Sequence, residues 1–263
     1  MKQHHSKTSH RRTHEASLLA MYMSEEQQVA AYFDLDGTLL NASSEKTLTG
    51  VLAKRRPWRI PHATVAWTLG TVFGLLTGKS PYDALRNRGH LSLASWSVLE
   101  KYSDEIASTL LKPKVSQQAW EKVAWHREQG HRLVLVTATV APMAEAMGRI
   151  LGMDEVYGCG PSDRNGILSG SERGWSVPRR KGKVPVVELD ANENGHDLSK
   201  CYGYGNTLAD SWFMQICGHA IAVNPEPPLR SFAQKNNYIG KIKLLVFSGQ
   251  FYQQFHLRYQ IRF

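Results

Sequence analysis

The chain has 263 residues, enough to bury a substantial core as one domain with an insertion. Its formal net charge of +9 invites a nucleic-acid partner, but four Lys/Arg against one acid lie in residues 1–23 and six against none in residues 227–263, so residues 24–226 are neutral overall, nucleic acid is not an expected partner and that reading is the weakest for the core. The three cysteines, Cys159, Cys201 and Cys217, lack metal-ligand spacing and exclude a disulfide framework, suiting reduced thiols in a cytoplasmic protein, and no apolar run reaches the ~20 residues of a membrane-spanning helix.

Residues 1–23 are polar, basic and rich in histidine (His4, His5, His10, His14), without periodicity, and are expected to be disordered. Met21 and Met23 stand just ahead of the first strand and offer alternative translation starts. The apolar run from Val29 then reads as a buried strand that stops at Gly37, where the backbone turns sharply. Asp34 and Asp36 sit at its carboxyl end, the ligand-binding end of a parallel sheet, and two residues apart they start from the same side of the strand. Held together and buried, they require a cation. A solvated turn is the plain alternative; a calcium loop is not, because Leu39 stands at its glycine position and a strand precedes.

Residues 42–113 are helical in pattern, at about 45–54, 62–76, 81–89 and 92–111, punctuated by Pro57, Pro61 and Pro81. Val65 to Leu76 is apolar nearly all round, which predicts a helix buried within this segment. Lys54, Arg55, Arg56 and Arg59 ahead of it read either as a solvated helix end or as an anion-recognition patch. After Pro113 strands and helices alternate: helix 114–129, strand Arg132–Thr137, helix Pro142–Leu151, a short strand Glu155–Cys159, a loop or hairpin over 160–181, helix 182–191, strand Lys200–Tyr204, helix 207–216 and strand His219–Val223. This pattern predicts an α/β fold, a Rossmann-like parallel sheet flanked by helices, with a helical cap inserted after the first strand. Its core would be residues 24–41 and 114–240, its cap 42–113 and its tail 241–263. Phe255 to Phe263 alternates apolar and polar residues as a strand does, although Phe247, Phe251, Phe255, Tyr259 and Phe263 also recur at a helical spacing; the strand is the expectation.

Asp34-Leu35-Asp36-Gly37-Thr38 resembles the first motif of the haloacid dehalogenase-like phosphohydrolases, and the later motifs follow in order. Leu133 to Thr137 is similar to the second, an apolar strand ending in a hydroxyl. Lys181 and Lys183 in Arg180-Lys181-Gly182-Lys183 are candidates for the third, and Lys183 fits the phosphoserine-phosphatase-like branch better. Gly205-Asn206-Thr207-Leu208-Ala209-Asp210 keeps the spacing of the fourth with asparagine in place of its first aspartate. The resemblance implies a phosphatase in which Asp34 attacks phosphorus, Asp36 serves as acid and base, Thr137 and Lys183 hold the phosphoryl group, and Gly37, Thr38, Ala138 and Ser43 contact substrate. It also implies Mg2+ held by Asp34, Asp36 and Asn206 with Asp210 in support. In that branch a glutamate nine residues after the nucleophile reads the ammonium of phosphoserine; here the position is Ser43, with Glu45 near, so the expected substrate is another phosphate ester. The apolar cap suits a bulky or lipid-like ester and leaves room for peripheral membrane contact. A phosphotransferase or mutase with the same nucleophile, and a catalytically weak phosphate-binding protein, stay open as alternatives.

Overall fold

The computed structural model describes residues 29–161, 165–172, 174–235 and 242–245. Ala30–Phe33 forms strand β1, and all four residues are fully buried. A strand apolar on both sides belongs in the middle of a sheet covered on both faces. The sheet adds β2 (Arg132–Val140), β3 (Glu155–Pro161), β4 (Trp175–Ser176), β5 (Tyr202–Gly205), β6 (His219–Val223) and β7 (Ile242–Leu245), in the order β4-β3-β2-β1-β5-β6-β7. Pairing is parallel throughout except between β3 and β4, so the α/β architecture expected from the alternation is present.

Successive side chains on a strand face opposite ways, and the two sets build two cores. Ala31, Phe33, Leu133, Leu135 and Ile221 pack with Ala119 and Val123 of α5 (Gln117–Glu128), Met143 and Met147 of α6 (Ala141–Leu151), and cap residues such as Leu48 and Leu99. Ala30, Tyr32, Val134, Val136 and Ala222 pack with Val187 of α7 (Lys183–Asn194), Phe213 of α8 (Ser211–Met214) and Leu229 of α9 (Pro227–Lys235). From β1 the chain moves outward through β2 and β3, then returns to the other side of β1 as β5. That reversal opens a crevice at the carboxyl ends of β1 and β5.

The cap, between β1 and β2, holds α1 (Ser44–Arg55), α2 (Ile60–Leu76), α3 (Pro81–Ala84) and α4 (Trp96–Ile106). Two expected helices are shorter than their patterns. The 81–89 helix stops at Ala84, because the Asn87 side chain donates instead to the carbonyls of Trp67 and Ala84 and to Thr71 Oγ1. The 92–111 helix starts only at Trp96, since Leu93 and Ala94 exchange backbone hydrogen bonds with Leu168 and Ser95 caps the N-terminus. The helix expected at 207–216 shrinks to Ser211–Met214, because Asp210 Oδ2 accepts from Thr207 N and Oγ1 and holds a turn there.

The apolar helix α2 corrects a larger expectation: it is not buried. Only Gly74 is buried within it, whereas Leu69, Phe73 and Leu76 are exposed. The helix packs through its small residues; a Cβ on Gly74 would lie 3.1 Å from Ala84 Cβ, and one on Gly89 would lie 2.3 Å from Trp67 N. Val65, Leu69, Val72, Phe73 and Leu76 therefore point away from the protein, while Trp67 faces inward and donates to Leu85 O. Strand β7 also carries the sheet into the segment expected to be a tail. The expectations for residues 1–23 and for Phe255 to Phe263 lie outside the described residues. Among the described residues no helix is long and apolar enough to cross a membrane.

Candidate active site

Strand β1 delivers Asp34 to the crevice, and its N–H donates to Tyr204 O of β5 at 2.9 Å. The chain then turns on Leu35, whose carbonyl accepts from the N–H groups of Thr38, Leu39 and Leu40. Gly37 is required twice over. Its φ of +82° disfavours a side chain, and a Cβ there would lie 2.1 Å from Asn206 Nδ2. The Gly37 and Thr38 N–H groups donate to Leu40 O and Leu35 O, so their hydrogen bonds are spent on the turn itself. Thr38 Oγ1 faces inward, 3.4 Å from Asp34 Oδ2 and 3.4 Å from Asn206 Oδ1.

Of the two candidate lysines, Lys183 enters the site. It opens α7 and is 2 % exposed, and its Nζ donates to Asp34 Oδ1 and to Asp210 Oδ1, each at 2.7 Å. Lys181 is exposed and lies over the Trp212 ring. Burial alone would lower the Lys183 pKa, and the carboxylates of Asp210 and Asp34 more than reverse it, so the ammonium persists. For Asp34, burial raises the pKa, Lys183 works against the rise and Asp210 adds to it; the net direction is upward. A dication beside it would return the carboxyl to its ionised form.

Asp36 is oriented differently. Both carboxylate oxygens accept from Ser44 N at 3.1 Å, at the N-terminus of α1 where the helix dipole favours an anion. Burial pushes its pKa up to about 6, with Ser44 opposing. A carboxyl near 6 holds a proton to donate and gives it up readily, as an acid-base catalyst must. Ser44 Oγ lies 3.0 Å from Thr139 Oγ1, which accepts from Thr137 Oγ1 at 3.2 Å. Thr137 and Thr139 share one side of β2, so the end of this strand brings two hydroxyls. Thr139 and Ser44 escaped the sequence reading, although the i, i+2 spacing of Thr137 and Thr139 was available to find the first.

Whether Mg2+ fits is decided by the donor atoms. Asp34 Oδ2 and Asn206 Oδ1 converge on one hydroxyl, and Asp34 Oδ1 is the oxygen that Lys183 holds. This leaves hard oxygen donors facing the crevice, which suits Mg2+. Asp210 is placed otherwise. One of its oxygens accepts from Lys183 and the other from Thr207 N and Oγ1, so it positions those groups, in keeping with a supporting place beside the ion. Among the described residues no three of His, Cys, Asp and Glu cluster as a metal site.

Above the aspartates a cavity of about 1270 Å³ opens between core and cap. Ser43, Thr137 and Ala138 line it near the aspartates; Gly50, Ala53, Ala63 and Trp67 line its cap wall with Arg56 and Arg86, and Arg180 lines it from the core. Ser43 caps α1, accepting from Lys46 N. Glu45 also faces the cavity, but its carboxylate is taken by buried Arg88 and by His90 at 2.9 Å. Arg88 further donates to Ala138 O and lies 3.4 Å from Glu172. Burial would raise the Glu45 pKa, but Arg88 and His90 outweigh it and bring it down to about 2. The basic run ahead of α2 divides: Arg55 pairs with Glu105, Arg59 is buried and donates to Ser92 O, and Arg56 reaches the cavity. Arg88 gave no sequence signal, because its partner is 43 residues away.

Glu45→Gln is expected to lower stability by about 2–4 kcal/mol, since it leaves the Arg88 charge buried with only weaker partners. Because the folded pKa is depressed, the contribution of Glu45 is present above its ordinary value of 4.5 and is lost as pH falls from there toward 2. Urea denaturation of both proteins should therefore show a gap at neutral pH that closes in acid. An equal gap at both would remove the ion pair as its cause.

A family model described as haloacid dehalogenase-like hydrolase matches residues 31–215. The "Inhibition of morphological differentiation protein" of Streptomyces azureus is 30% identical over 210 residues, covering 77% of this chain and 74% of that protein. "Phosphoserine phosphatase SerB1" of Mycobacterium tuberculosis is 26% identical, covering 80% and 69%. A solved structure of a protein of unknown function from Bordetella pertussis superposes with a TM-score of 0.67 at 25% identity, covering 83% of this chain and 98% of that one.

Proposed function

The chain belongs to the haloacid dehalogenase-like hydrolases and is a phosphatase, and from that premise we propose that it hydrolyses a small-molecule phosphate monoester through an aspartyl-phosphate on Asp34, with Mg2+ as cofactor. The observation that carries this reading is the Asp34 carboxylate at the crevice floor, held by the Lys183 ammonium at 2.7 Å with the raised carboxyl of Asp36 two residues on.

An Asp34 oxygen attacks phosphorus in line, the bond from phosphorus to the ester oxygen breaks, and Asp36 gives that oxygen its proton. Asp36, now ionised, takes a proton from water. The water oxygen attacks phosphorus, the bond to Asp34 breaks, and inorganic phosphate and free enzyme remain. Thr137 turns its hydroxyl from Thr139 Oγ1 to donate a hydrogen bond to a phosphoryl oxygen, and Lys183 offsets the charge that gathers there. Mg2+, held by Asp34, the Asp36 carbonyl and Asn206, supplies further screening between nucleophile and phosphoryl oxygens when bound.

Phosphoserine fits poorly. Ser43 stands where the branch has its ammonium-reading glutamate, and Glu45 is already paired with Arg88. The cavity wall of Gly50, Ala53, Ala63 and Trp67 suits an ester with an apolar body. A transferase would use the same nucleophile and be recognised by a product that depends on an added acceptor alcohol. Phosphate release from a panel of monoesters with Mg2+ tests the proposal; a pure protein that releases none from any ester would refute it.

Asn206 makes a separate prediction. A carboxylate attracts Mg2+ more than an amide at any dielectric, so Asn206→Asp should lower the Mg2+ needed for half-maximal activity by about tenfold. Maximal rate need not rise, since added negative charge also repels the phosphoryl group. Asn206→Ala should raise the requirement. A magnesium titration of the three proteins decides it, and one shared requirement would mean that Asn206 is no ligand and would favour the catalytically weak phosphate-binding reading.

A further inference from the structure

The exposed residues of α2 form a stripe. Val65, Leu69, Val72, Phe73 and Leu76 recur at helical spacing on one side and are 47–82% exposed together with Trp58. At 1.5 Å per residue the stripe runs about 16 Å. A contiguous apolar surface of this kind marks a site of contact. Its charge setting narrows what it contacts. Residues 46–82 hold six Lys/Arg and no Asp or Glu. Arg59 is buried and Arg55 is paired with Glu105, but Lys46, Lys54 and Lys79 are exposed. The next acid, Asp83, is engaged by Ser80 and Arg180.

An apolar stripe among exposed cations complements a bilayer surface of anionic lipid, where acyl boundary and head groups meet both needs. A second copy of this face would bring like charges together across a two-fold interface. The ends of the chain are also basic, with four Lys/Arg against one acid over residues 1–23 and six against none over 227–263, so neither complements the patch. We infer that α2 docks this protein on the surface of an anionic membrane. The opposite side of the same helix supplies Ala63, Thr64 and Trp67 to the cavity above Asp34, so the docked helix would be the wall between lipid and site.

The docking claim does not depend on catalysis and is tested without substrate. The full chain is sedimented with vesicles of phosphatidylcholine containing roughly one-third phosphatidylglycerol, and with phosphatidylcholine alone, at low and high salt. Partition onto the anionic vesicles, weakened by salt, is expected. Leu69→Glu/Phe73→Glu should reduce it by about a hundredfold and Lys54→Glu/Lys79→Glu by about tenfold, with thermal melts unchanged because all four side chains are exposed. Three results would overturn the inference. One is no partition, and another is wild-type partition by both variants, which would assign binding to the basic ends. The third is a dimer in analytical ultracentrifugation that Leu69→Glu/Phe73→Glu converts to monomer.

Discussion

Asp34→Asn is expected to reduce phosphate release by at least about four orders of magnitude, because an amide oxygen of the same shape is a far poorer nucleophile and no second group takes its place. The fold should survive. The substituted asparagine keeps the volume, its one oxygen accepts from Lys183 and its NH2 then donates to Thr38 Oγ1, and Lys183 retains the Asp210 carboxylate at 2.7 Å as its counter-ion. The variant even relieves a cost, since the wild-type carboxyl is pushed upward by burial and by Asp210. Turnover measured beside a thermal melt separates the two effects. Near-wild-type activity in well-folded Asp34→Asn protein would rule out the nucleophile.

Lys183→Met is expected to do the reverse and damage the fold as well as the chemistry. The ammonium joins Asp34 to Asp210 and is the cation to which both are bonded at 2.7 Å. Without it two buried carboxylates confront each other, a loss of about 3–5 kcal/mol at neutral pH. Removing the charge that screens the phosphoryl group should also lower turnover by roughly two to three orders of magnitude. The stability loss has a defined pH sign. In the variant the Asp34 carboxyl rises further, so the folded state takes up a proton before the unfolded chain does, and the deficit shrinks as pH falls through that raised value. Urea denaturation at neutral and mildly acidic pH measures it. A deficit independent of pH would mean that lost packing, and not charge, is responsible.

Much of the site was legible because its parts are local. Asp34, Asp36 and Gly37 lie on one strand and turn, and the chemistry of a strand end next to a glycine is written in adjacent residues. Lys183 opens a helix, and Thr137 closes the unbroken apolar run of β2, although the strand itself continues to Val140. What stayed hidden depends on contacts between distant residues. Arg88 meets Glu45 across 43 residues, and Ser44 meets Thr139 across 95, with no periodicity to announce either. Asp210 held its expected spacing, but only the structure shows both of its oxygens already occupied. The exposure of α2 is hidden in the sequence for a related reason. Apolar residues all round a helix suggest burial, yet burial depends on what stands beside the helix, and here glycines make the close contacts while Leu69, Phe73 and Leu76 face outward.

The covalent step is the centre of this account, and it is tested by catching the intermediate. The protein is mixed with para-nitrophenyl phosphate and Mg2+, quenched in acid during turnover, cleaved, and mapped by mass spectrometry. The phosphoryl group should be found on the peptide containing Asp34, at that residue, and should be absent from Asp34→Asn. A turning-over enzyme with no phosphorylated peptide, or with the group on any other residue, would contradict the mechanism.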